Sequence, residues 1–91
     1  MNAYLSKNIT TATTTTPCGT QGILHTVVVN KTAAGTIGIY DGPAATGTLI
    51  ATLKASIVEG TYTFDAVFNN SLVIVTGAAS DVTVTYAVAG S

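Results

Sequence analysis

The residues able to do chemistry are few and scattered. His25 is the single histidine, Cys18 the single cysteine, and the acids are Asp41, Glu59, Asp65 and Asp81. A zinc site needs several His, Cys or carboxylate ligands brought together, and no local spacing supplies them. His25 stands inside an apolar run, where a satisfied sheet histidine is the simpler reading. A hydrolytic triad would use His25 as base with Asp65 or Asp81 to orient it, yet no serine sits on a nucleophile elbow. Cys18 lies between Pro17 and Gly19 without a histidine or basic neighbour to lower its pKa, so it reads as an inert loop or edge thiol.

The other acids fall mostly at strand ends or turns, where aspartate supports turns by side-chain to backbone hydrogen bonds. Asp65 is the exception, placed mid-strand on the face opposite Phe64 and expected to point to solvent. A calcium site built from loop carbonyls stays open, although no clustered acidic loop points to it. Residues 41–47 contain glycines but no lysine, and they precede a strand rather than a helix, unlike a phosphate-binding loop. Among the aromatics, Tyr62, Phe64, Phe68 and Tyr86 read as core, leaving Tyr4 and Tyr40 exposed. That is thin support for a carbohydrate platform. Asn8, Asn30 and Asn69 open glycosylation sequons that a threonine-rich chain makes by chance. The chain therefore reads as a non-enzyme with no cofactor.

The elements that would position these residues are strands. Residues 60–88 hold three runs of strand length separated by Asn69-Asn-Ser71 and Gly77-Ala-Ala-Ser-Asp81. Tyr62, Phe64, Ala66 and Phe68 alternate in the first run, and Val82, Val84, Tyr86 and Val88 in the last, the pattern of a β-meander with one buried face. Upstream, residues 9–16 form a β-branched run with almost no apolar face, an edge strand closed by a turn at Pro17-Cys-Gly-Thr20. Residues 22–30 are apolar on both faces and predict a central strand, with Leu24, Thr26 and Val28 opposite Ile23, His25, Val27 and Val29. Ile37 and Ile39 point inward with Gly38 and Tyr40 outward; Leu49, Ala51 and Leu53 form the core side of the next strand. Residues 54–60 could be a helical turn, a short strand or a crossover, with Ile57 and Val58 plugging the core.

About seven strands at intervals of roughly 8 to 12 residues predict a single-domain, all-β antiparallel sandwich or small jelly-roll-like barrel over residues 9–91. Residues 1–8 precede it as an amino-terminal arm.

At 91 residues the chain can bury only about 60 to 65% of its unfolded surface. Charged residues are 8% of it, the formal net charge is -1 and the mean hydropathy is +0.52, so no basic footprint for nucleic acid or an anionic membrane exists. The start lacks an apolar signal segment, and no apolar run is long enough for a helical span; with a lone cysteine, synthesis in a reducing cytoplasm is expected. Little like-sign charge keeps copies apart, so the protein is expected to work packed against a partner.

Three stretches carry a resemblance: Ser6-Lys-Asn-Ile-Thr-Thr-Ala-Thr; Ile37-Gly-Ile-Tyr-Asp-Gly with Gly47-Thr-Leu-Ile-Ala-Thr-Leu; and Gly60-Thr-Tyr-Thr-Phe-Asp-Ala-Val-Phe with Leu72-Val-Ile-Val-Thr and Asp81-Val-Thr-Val-Thr-Tyr. Together they resemble the small all-β virion proteins of tailed bacteriophages, such as head decoration and cement proteins. The resemblance implies a non-enzymatic capsid decoration protein in the virion, made in the bacterial host's cytoplasm. Its implied partners are itself, in a homo-oligomer such as a trimer, and a major capsid or other virion protein. The partner-binding residues expected on this reading are Tyr4, Leu5, Lys7 and Ile9 in the docking region, with Tyr40 and Asp41. The alternative is a glycan- or receptor-binding module of a tail or fibre, using Tyr40 and residues 41–47.

Overall fold

The structure, a computed structural model, describes residues 4–44 and 46–90. Its strands are β1 (Leu5–Ile9), β2 (Thr14–Cys18), β3 (Gly22–Lys31), β4 (Ile37–Asp41), β5 (Thr48–Leu53), β6 (Gly60–Phe68), β7 (Leu72–Thr76) and β8 (Asp81–Val88). Sheet A has the order β1-β8-β3-β6 and sheet B the order β2-β7-β4-β5. No described residue is helical.

One rule generates both sheets. β4 and β5 form a hairpin, and outward from it β3 pairs with β6, β2 with β7 and β1 with β8, all antiparallel. The chain is one long hairpin wound so that successive pairs fall in alternate sheets, with β3–β8 and β4–β7 pairing to complete each sheet. This is the jelly-roll form of the β-sandwich. Leu24, Val27 and Val84 from sheet A meet Ile39, Leu72 and Ile74 from sheet B in the core.

The last three strands are therefore not a meander. β6, β7 and β8 alternate between sheets, and none pairs with the next. Alternation within a strand reports which face is buried but not which strand lies alongside. The threonine-rich run also divides, which is why there are eight strands. β1 ends at Ile9, and residues 10–13 carry the chain across to sheet B, where Thr76 receives it. The Thr76 hydroxyl, buried at 3% exposure, donates to the carbonyls of Thr11 and Thr13. Residues 5–8, expected in an arm, belong to the edge of sheet A from Leu5 onward. Pro17 and Cys18 lie in β2 rather than in a turn; an edge strand with a register shift tolerates the proline.

Bulges explain the remaining differences. Strict alternation in β3 would set Leu24 against Val27 and Val29, yet all three are core, because His25 is an extra residue relative to β8. A one-residue insertion reverses the parity of everything beyond it. In β5, Ile50 is extra relative to β4, so Leu49 turns outward and is 53% exposed while Ile50 packs inward. Ile57 packs against the core as expected, but Val58 is 74% exposed in the β5–β6 crossover.

Candidate functional site

The outer face of sheet A carries an ordered arrangement that begins with its bulges. Between residues 85 and 86 of β8 nothing is inserted; opposite them β3 inserts His25, and opposite that β6 inserts Phe64 and Asp65. The ladder lengthens by one residue per strand, which splays the strands there and directs the inserted polar side chains outward. Asp65 adopts φ 48°, a left-handed conformation that aspartate tolerates better than most residues. Its Oδ1 lies 2.5 Å from His25 Nδ1. On the other side of His25 the Tyr4 ring is stacked, with centroids 4.1 Å apart and planes 8° from parallel.

Next to this cluster runs an apolar row. Ile23 pairs with Ala87 on one side and Val67 on the other, and β1, continued one residue beyond the Leu5–Tyr86 pair, brings Tyr4 level with Ala87. Tyr4, Ala87, Ile23 and Val67 thus cross all four strands of sheet A. Tyr4 is 51%, Ile23 41% and Val67 62% exposed. With Gly22, Gln21 and Asn69 they line a groove of about 440 Å³. Gly22 has no room for a side chain, since a Cβ there would run into the Ala87 carbonyl oxygen and come within 2.9 Å of the buried Phe68 ring.

Beyond the cluster the face becomes polar. Register aligns Ser6, Thr85, Thr26 and Thr63 in one row and Asn8, Thr83, Val28 and Thr61 in the next. Thr26 and Thr85 share a hydrogen bond of 2.6 Å, and the amides of Asn8 and Asn30 both donate to Asp81 and to Thr83. These groups satisfy one another and stiffen the face.

As chemistry, the cluster can orient an imidazole and clamp an aromatic ring. Asp65 is the one side-chain hydrogen-bond partner of His25 among the described residues, and Cys18 is buried in sheet B with its thiol against the Thr20 carbonyl. What the geometry offers outward is apolar area bordered by a polar rim.

The residues singled out from the sequence do not converge. Tyr4 joins the site; Leu5, Lys7 and Ile9 pair with the core residues Tyr86, Val84 and Val82 and so lie on the opposite side of sheet A, Leu5 and Lys7 exposed near its edge and Ile9 in the core at 4% exposure. Tyr40 and Asp41 lie in sheet B. The Tyr40 ring is half-buried because it folds over Gly38, whose hydrogen in place of a Cβ leaves it room. Asp41 accepts hydrogen bonds from the Asn69 and Asn70 amides at 2.8 and 2.9 Å, which hold its carboxyl below the usual range and pin the β6–β7 connection. Sequence reasoning does not single out Ile23 and Val67, and it considers His25 with Asp65 only as two members of a hydrolytic triad. The available signal was an aspartate in mid-strand, a costly position unless something holds it.

The fold is an antiparallel β-sandwich whose sheet A carries an apolar row bordered by polar groups. No protein-family model matches the chain, and no curated protein matches it.

Proposed function

We propose that this protein is a non-enzymatic structural subunit of a bacteriophage particle, a decoration protein that seats the apolar end of sheet A on the shell. The observation that carries the reading is the row Tyr4–Ala87–Ile23–Val67, which presents apolar side chains across the whole width of one sheet. Contiguous apolar surface of this kind marks a contact site on a small protein. The jelly roll adds support by analogy, since viral capsid domains use it repeatedly, as do lectins and cupins. A face with few charges suits contacts repeated over a lattice, where many weak attachments add to a firm one.

The test begins with mass spectrometry of purified particles from a phage that encodes the chain, which should contain it. Shells stripped of the protein should then rebind the wild type but not Ile23→Asp or Val67→Asp, both at exposed positions where the far-ultraviolet circular dichroism should match the wild type. Particles that lack the chain, or variants that rebind as well as wild type, would overturn the reading.

A further inference from the structure

Four strand edges are open, and three of them are protected. β1 carries Lys7, β2 carries Pro17 and a register shift, and β6 carries Asp65 at its left-handed bulge. Charge, proline and bulges are the devices that keep an edge from pairing with another chain. β5 has neither charge nor proline; its one device is the bulge at Ile50. It also exposes Leu49 at 53% and lies on the flank where Ile50, Ile57, Tyr62 and Phe64 are only partly covered.

We propose that β5 pairs antiparallel with β5 of a second copy, joining two B sheets about a two-fold axis. The occupant is argued from the strand itself. Antiparallel pairing centred between Ile50 and Ala51 sets Thr48 against Leu53, Leu49 against Thr52 and Ile50 against Ala51, so every pair is uncharged and an apolar residue always finds an apolar or threonine neighbour. Lys54 of each copy falls opposite Gly47 of the other, so no like charges face each other along the ladder. A two-fold contact of this type closes on itself and stops at a dimer. At six residues the ladder is small, which places the dimer among the weaker, concentration-dependent associations. It uses a surface separate from the apolar row on sheet A and stands whether or not that row binds a shell.

The test is sedimentation velocity of the full chain from low micromolar to near-millimolar concentration. The wild type should pass from one chain mass to two, and protection of the amides of residues 48–53 from hydrogen exchange should rise over the same range. The double variant Leu49→Lys with Thr52→Lys sets lysines opposite lysines and should remain a monomer. Mixed with Leu49→Glu/Thr52→Glu, it should form a dimer again, which a misfolded variant would not do. A wild type that stays monomeric with exchange independent of concentration overturns the proposal. So does a lysine variant that still dimerises, or a mixture that fails to.

Discussion

Asp65 reaches His25 across the bulge of sheet A, with Oδ1 2.5 Å from Nδ1, and it does so from a left-handed backbone conformation whose cost the contact helps to offset. The short side chain at φ 48° is aimed at the imidazole only because β6 carries one more residue than β3 at this level. The hydrogen bond and the backbone geometry therefore stand or fall together.

That coupling can be measured. Asp65→Ala keeps a Cβ in the left-handed region and loses the acceptor, so it should cost about 1–2 kcal/mol in urea unfolding. Asp65→Gly also loses the acceptor but relieves the backbone, and should cost no more than alanine. Glycine in a regular strand is worse than alanine by roughly 0.5–1 kcal/mol, so that ordinary ranking at position 65 would show the backbone to be unstrained.

Gly22 should prove intolerant of even one added carbon. An alanine Cβ would meet the Ala87 backbone and the Phe68 ring, the latter fully buried, so neither neighbour can move cheaply. Gly22→Ala is expected to lose about 1–3 kcal/mol as overpacking and to lower the thermal midpoint. An unchanged midpoint would mean that the start of β3 is looser than its contacts indicate.

These two positions show where sequence reasoning reached and where it stopped. The apolar alternation at Val82, Val84 and Tyr86 was legible because each inward residue is separated by one outward residue, and all three are buried. Fold class and strand positions follow from such patterns. The division of β1 from β2 was not legible, since residues 9–16 are β-branched except for Ala12 and the crossing is held by a distant residue, through the hydroxyl and backbone of Thr76. The site was hidden for a related reason. His25 and Asp65 are 40 residues apart and meet only because bulges in β3 and β6 shift the register, a tertiary effect without a local signature.

Thr76 carries the crossing from sheet A to sheet B. Its hydroxyl donates to Thr11 and Thr13 and accepts from the Thr13 amide at 3.1 Å. Thr76→Val keeps the shape and removes the hydroxyl that the Thr11 carbonyl accepts from, while the backbone bonds between Thr13 and Thr76 remain, for an expected loss of about 0.5–1.5 kcal/mol. Thr76→Ser retains the hydroxyl and should lose clearly less. Equal losses in the two variants would assign the effect to the methyl group instead.

Asp41 sets the direction of acid sensitivity. Its carboxylate is stabilised chiefly by the Asn69 and Asn70 amides, so its folded pKa lies below the ordinary 3.8. A depressed pKa means that the unfolded chain takes up the proton first as pH falls. The stabilisation is complete above the ordinary carboxylate range, declines as pH drops from there through the folded value, and is gone below both. Because the group is at the surface, salt should weaken the effect little through the short amide contacts but more through any distant charge. Asp41→Asn can accept only through its amide oxygen, so it should be less stable than wild type near neutral pH, and the gap should narrow in acid. Urea midpoints of both proteins between neutrality and strong acid give the comparison; curves that stay parallel throughout would remove Asp41 from the acid response.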